Sequence, residues 1–318
     1  MTDAERLLSR ARRPLVLGIG GGGDVVGALA TAEACRLYHD AHPVVGGVSW
    51  ERRPIDPSPG PRREDEIEGC RRLAPGVLAA GPDARVKGRD VRFAEGRVAE
   101  LLGEETVLVD ATRGSATIAR GLSAAAAGLG CDLLLFVDVG GDVLGHGDEP
   151  GLASPLCDAV LLAAASLIDG ADGAPPVLGG IFGIGCDGEL TAAEVAERLA
   201  EVAAAGGLAG ARGLTPAVVE RLEAAVAAVP TEASAQALRC FRGERGRVAI
   251  RDGLRTVELS PLGAATVFFD VGAALRSAAR LALAVRGAAD LEAANDALHG
   301  LGIRTELDRE RRPPGALP

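Results

Sequence analysis

Three segments of this chain share one plan: a short apolar run that reads as a β-strand, a glycine-rich turn carrying an aspartate, and then a helical pattern. They occupy residues 15–24, 133–142 and 181–189. Strands and helices that alternate with short connections predict an α/β fold, a doubly wound, mostly parallel sheet flanked by helices. Open sheets of this kind bind ligands outside the carboxyl ends of their strands, so the three turns mark a candidate site. Glycines there let the backbone approach a ligand, and carboxylates there can hold a metal or a cationic group.

Element by element, strands are expected over 14–19, 44–48, 106–110, 133–138 and 177–182, and helices over 24–38, 117–128, 154–168 and 191–205. Thr191 followed by Glu194 is a capping-box signature that fixes the start of the last of these helices. Residues 66–96 are mixed, with short strands expected at 77–80 and 91–94. Beyond Gly206 the pattern changes to helices over 215–229 and 232–241. A hairpin then pairs 248–251 with 256–259 around Asp252-Gly253, a strand covers 266–270, and helices run to about His299. The expected organisation is an α/β core over 1–206 with glycine-rich loops and a helical and hairpin portion over 207–308 packed on it. The charged, proline-rich tail at 309–318 is expected to be disordered.

Composition removes several functions. A net charge of −10 and a pI near 5.1 leave no basic face for nucleic acid. Lys87 is the only lysine, so there is no phosphate loop of the lysine-containing type, and its polar setting disfavours a pyridoxal phosphate Schiff base. The six cysteines include no C-x-x-C pair and read as reduced, mostly buried thiols. No apolar segment is long enough to span a bilayer and no secretory leader is visible, so a cytoplasmic protein without a membrane partner is expected. Four histidines, with no His-x-His or His-x-x-x-His spacing, argue against zinc, and no G-x-S-x-G elbow is present.

The first turn presents Gly20, Gly21, Gly22, Gly23 and Asp24 at a helix start, where an anionic group is favoured. The second gathers Asp138, Gly140, Gly141, Asp142, His146, Asp148 and Glu149 within twelve positions. Carboxylates near one imidazole suit Mg²⁺ or Mn²⁺, an amine or guanidinium, or acid–base work with raised pKa values. Their bland alternative is a solvated acidic loop. Asp187 repeats the theme on a third strand. At 110–117, Thr112, Arg113 and Ser115 offer hydroxyls and a forked donor to an anion, with simple helix capping as the alternative. Trp50, Glu51 and Arg52 place an aromatic beside charges in a proline-rich loop, fit either to stack on a ligand or to anchor that loop.

Residues 18–24, 46–52, 138–155, 183–190 and 260–262 together resemble the uncharacterised archaeal and actinobacterial family known as domain of unknown function 1152. The stretch from Asp138 to Gly151 is the most specific part. The resemblance implies no activity and assigns no catalytic residues. The Gly-Gly-Asp turn is also distantly similar to the glycine turn of D-glutamate cyclases. The residues themselves lead to a small-molecule metabolic enzyme with an Asp- and Gly-rich site at the carboxyl edge of the sheet. Metal-assisted transfer or cleavage on a phosphorylated or nucleotide substrate is the first expectation, with Mg²⁺ or Mn²⁺ as cofactor. A metal-free amino-acid C–N lyase or cyclase is the second and a non-catalytic ligand or cofactor sensor the third. Asp138, Asp142, His146 and Asp148 are the expected catalytic groups, Asp142 and Asp187 the expected metal ligands, and a homo-oligomer is compatible with the chain.

Overall fold

The apolar runs become strands whose two faces are both covered, which is why they lack polar alternation. A computed structural model describes residues 2–53 and 55–311. Strands β1 (Pro14–Gly18), β2 (Val44–Val48), β5 (Thr106–Val109), β6 (Leu133–Val139) and β7 (Val177–Phe182) lie parallel in the order β5-β2-β1-β6-β7. The remaining strands are antiparallel additions at the two edges. On one side β3 (Ile67–Ala74) and β4 (Val77–Val86) form a hairpin that pairs with β5. On the other, β11 (Ala265–Phe269) pairs with β7, and β8 (Leu208–Gly213) pairs with β11. Residues beyond Gly206 thus complete the same sheet, while β9 (Gly246–Ile250) and β10 (Arg255–Leu259) make a separate hairpin.

Chain order sets the position of the crevice. The chain builds outward from β1 through β2 to β5, then returns to the other side of β1 with β6 and β7. The reversal falls between β1 and β6, where an open parallel sheet leaves room for a ligand. Both strands end in glycine turns at that point.

Helices cover both faces. On one side α2 (Asp24–His39) packs with α7 (Pro216–Ala228) and α8 (Glu232–Phe241), and α3 (Ala94–Leu102) joins them. On the other, α5 (Pro155–Asp169) packs against α4 (Ser115–Leu129), α9 (Val271–Arg276), α10 (Arg280–Val285) and α11 (Leu291–His299). Alternation along β1 serves both layers: Leu15 and Leu17 join the α5 side, Val16 the α2 side. Full burial of each such side chain is worth about 1.5–3 kcal/mol. α6 (Ala192–Ala204) starts at Thr191 with the expected reciprocal cap to Glu194. The hairpin turn uses Arg251, Asp252 and Gly253 at φ of 53°, 54° and 86°.

Four segments differ from the sequence reading. Residues 91–94 are not a strand. Val91 and Phe93 plug a small apolar cluster under β4, and the Ala94 N–H is capped by Glu51 at 2.6 Å, so the chain turns into α3. Strands β3 and β8 carry little apolar alternation, since both are half-exposed edge pieces held by their partners. The tail begins inside α12 (Glu306–Glu310), whose start is capped by Thr305 and Asp308; residues 312–318 lie outside the described residues. Among the described residues no helix is long and apolar enough to cross a membrane.

Candidate functional site

The turns after β1, β6 and β7 bring carboxylates together at the predicted crevice. Asp24, the first residue of α2, accepts the Gly20 N–H at 3.0 Å. Asp138, near the end of β6, accepts the Gly141 N–H at 2.8 Å. Asp158 joins them from the first turn of α5, and the three offer oxygens all within 4.8 Å of one another. Alongside, Asp142, Asp187 and Glu189 form a second group that meets the same 4.8 Å limit. Asp142 lies close enough to Asp138 for that charge to help raise it, so the two groups adjoin.

Two glycines make room for this crowd. A Cβ on Gly20 would lie 2.6 Å from Asp24 Oδ2 and 3.1 Å from Asp158 Oδ2. Gly140, at a φ of +122°, has Asp187 Oδ1 where its Cβ would stand. Gly140→Ala is therefore expected to destabilise by roughly 1–3 kcal/mol through backbone strain and to push Asp187 out of its group. Urea unfolding of the variant checks the first effect, and an unchanged midpoint would contradict it.

Electrostatics set the character of the site. Asp138, Asp142, Asp158, Asp187, Glu189 and Glu306 are buried, and Asp24 keeps only part of its surface to solvent. Burial raises Asp138 to about 7. Burial first and neighbouring carboxylates second hold Asp24, Asp142, Asp158 and Asp187 well above the usual range. Glu306 caps the N–H groups of Leu156 and Cys157 at 3.1 and 2.9 Å and is also raised by burial. Glu189 accepts from the Ala153 and Ser154 N–H groups and pairs with Arg255 at 2.8 Å. Against these seven carboxylates stand two ion-paired arginines, Arg255 and Arg52, the latter 3.5 Å from Glu306. Asp158 Oδ1 and Asp187 Oδ1, one in each group, are buried without a hydrogen-bond partner. Such atoms are costly unless a cation or proton satisfies them.

Other expected site residues go elsewhere. His146, Asp148 and Glu149 separate from Asp142 and gather around α6. Glu149 accepts Arg198 Nε at 3.0 Å and the His146 and Gly147 N–H groups, while the His146 ring faces Glu201 at 3.2 Å. Burial and Arg198 lower the His146 pKa, and Asp148 stays exposed. Trp50 is fully buried and donates to Glu310 at 2.6 Å, so its ring is a loop anchor and presents no face to a ligand. Glu51 caps α3. Arg52 stacks 4.3 Å over Trp50 and donates to the Gly20 carbonyl at 2.7 Å. Thr112 and Arg113 bind Asp110, and Ser115 donates to the Arg286 carbonyl at 2.8 Å, so this junction is closed structurally instead of cradling an anion. In the first turn the Gly20 and Gly22 amides are already used, by Asp24 and by the Trp50 carbonyl at 2.8 Å, and Gly21 and Gly23 pack under Trp50 and Thr231.

The structure adds groups that sequence reasoning missed. Asp158 was visible only as a lone charge opening an otherwise apolar helix. Glu189 lay in the third glycine turn but was given no site role, and Glu306, Arg255 and Arg309 had no motif. Arg255 and Arg309 flank one short stretch: Arg309 reaches the Leu152 carbonyl at 3.4 Å, next to the Ala153 and Ser154 amides that bind Glu189. Arg251 precedes Arg255 in the β9–β10 hairpin; its Nε makes no hydrogen bond and lies 3.7 Å from Glu232. A cleft of about 390 Å³ lies at the opposite, amino-terminal edge, lined by Arg13, His42, Val44 and Thr106. It gathers no comparable set of buried carboxylates.

A family model described as a protein of unknown function, DUF1152, matches residues 15–313. No curated protein and no solved structure matches the chain.

Proposed function

The chain belongs to the DUF1152 family, and we propose that it is a divalent-cation-dependent enzyme that transfers or cleaves a phosphate-bearing or nucleotide substrate. One observation carries this reading: seven clustered carboxylates face two paired arginines, and one buried oxygen in each group lacks a donor. Mg²⁺ or Mn²⁺ fits an all-oxygen donor set of this kind. Asp24, Asp138 and Asp158, or Asp142, Asp187 and Glu189, would hold it, and the bound cation would supply Lewis-acid polarisation of a phosphoryl oxygen. Arg251, Arg255 and Arg309 line the rim and suit the substrate's anionic part. Burial raises Asp138 to about 7 in the cation-free chain, so a cation bound there at neutral pH would displace its proton. Phosphate recognition thus falls to these arginines before the glycine turn, where the Gly20 and Gly22 amides are already bonded.

The test is thermal unfolding with Mg²⁺, Mn²⁺, nucleotides and amino acids. A cation at a hundred times its Kd stabilises by about 2.7 kcal/mol, which in a chain of this size raises Tm by roughly 5 °C. That rise is expected for the native chain and reduced in Asp142→Asn. Arg309→Ala should keep the metal response and lose the response to nucleotide. If no divalent cation shifts Tm the proposal fails; a response to amino acids alone would point to the lyase alternative, and ligand binding without product to a sensor.

A further inference from the structure

Resting on that cation-dependent reading, we infer that the site takes two divalent cations side by side, one in each carboxylate group, with Asp138 and Asp142 meeting between them. The donors divide by origin. Asp24, Asp138 and Asp158 come from the turn after β1, the end of β6 and the start of α5; Asp142, Asp187 and Glu189 come from the turns after β6 and β7. Each group closes within 4.8 Å by itself. Each also contains its own buried oxygen without a donor, Asp158 Oδ1 in one and Asp187 Oδ1 in the other. One cation cannot satisfy both, because these atoms belong to separate clusters. Gly140 and Gly141, at φ of 122° and 120°, fold the β6 turn, and the Gly141 N–H binds Asp138 one residue before Asp142, which sets the two clusters side by side.

Ligand number and charge agree. A small hard dication is ordinarily held by one or two carboxylates plus waters, so six acidic donors are too many for one ion. With Arg52 and Arg255, two dications bring the seven carboxylates within one charge of neutrality, whereas one dication leaves three unbalanced. Paired cations about 3.5–4 Å apart clamp both the attacking and the leaving oxygen of an in-line displacement. The substrate class that uses such a clamp is a phosphate ester or anhydride, its remaining negative charge lying toward Arg255 and Arg309.

The experiment is Mn²⁺ titration of the chelator-stripped full chain, read by metal content after dialysis and by low-temperature electron paramagnetic resonance. Two Mn²⁺ per chain with a spin-coupled signal are expected. Asp158→Asn and Asp187→Asn should each retain one Mn²⁺ and lose the coupling, with burial of Trp50 in each variant checked by its fluorescence. Asp24→Asn serves if Asp158→Asn does not fold. One Mn²⁺ in the native chain overturns the inference while leaving cation dependence intact. Two uncoupled ions overturn it as well, by placing the second elsewhere, such as beside His146. No bound Mn²⁺ overturns both readings.

Discussion

Stripped of cations, the protein is expected to lose stability steadily as pH rises from about 4 through 7, and added Mg²⁺ or Mn²⁺ should cancel the part of that loss that the clustered carboxylates cause, leaving the part due to buried Glu51 and Glu95. The sign follows from proton counting. Asp138 is raised from 3.8 to about 7, and Asp24, Asp142, Asp158, Asp187 and Glu306 are raised too, burial being the first cause for each. Between the unfolded and folded pKa values the folded chain binds more protons than the unfolded one, so each pH step upward favours unfolding. Their contribution is complete below about 4 and is lost as pH passes the folded values. For Asp138 alone, at about 1.4 kcal/mol for each pH unit, the loss is on the order of 4 kcal/mol. That is large beside a typical total of roughly 5–15 kcal/mol. His39 and His146, lowered by burial, act in the opposite sense near neutrality, but they are partly exposed and fewer. Glu149 and Asp308 are held low by their partners and matter only below about pH 4. Urea midpoints between pH 5 and 8, with chelator and with Mn²⁺, check the expectation. A metal-free midpoint that stays flat or climbs with pH would defeat it.

Much of the fold was legible because the central strands obey local rules. An apolar run of five to seven residues, buried on both faces, needs no partner information to be recognised, as β1, β6 and β7 show. The turns were equally local: Asp252-Gly253 closes its hairpin and Thr191 caps α6. The edges were not legible. Strand β8, Leu-Ala-Gly-Ala-Arg-Gly, is extended only because β11 supplies its hydrogen bonds. Tertiary pairing decided its state, and its own side chains carry almost no preference.

The site divides along the same line. Asp24, Asp138, Asp142 and Asp187 were found because each sits on or beside a glycine turn at a strand end, a placement that chain topology converts into proximity. His146, Asp148 and Glu149 share that sequence neighbourhood with Asp142, yet the 3-10 turn at Asp142–Leu144 redirects the chain toward Arg198. Closeness in sequence was a poor guide there. Asp158, Glu189 and Glu306 complete the carboxylate set from α5, the turn after β7 and α12. Glu306 is brought in by helix capping, a contact that no spacing within 301–311 could announce.

The same C-terminal helix makes Arg52→Ala the most damaging single change outside the carboxylates. Arg52 pairs with Glu306 at 3.5 Å and Glu310 at 3.3 Å, stacks on Trp50 and holds the Gly20 carbonyl. Its side chain is only 15% exposed, and those of Glu306 and Glu310 are 6% and 11% exposed. Removing the cation leaves two nearly buried carboxylates facing each other across an opened gap, a loss that costs about 3–5 kcal/mol when one partner of a buried pair is deleted. α12 should then loosen, because Glu310 would retain only its bond from the Trp50 indole and weak contacts from the loop. Trp50 is the one tryptophan in the chain, so its emission should shift to the red as its surroundings take up water. Arg52→Lys should recover part of the stability by restoring charge, but not the fork that reaches both glutamates and the glycine carbonyl. Urea unfolding followed by Trp50 fluorescence measures both effects together. An Arg52→Ala midpoint equal to that of the native chain would show that α12 is held by its apolar contacts alone.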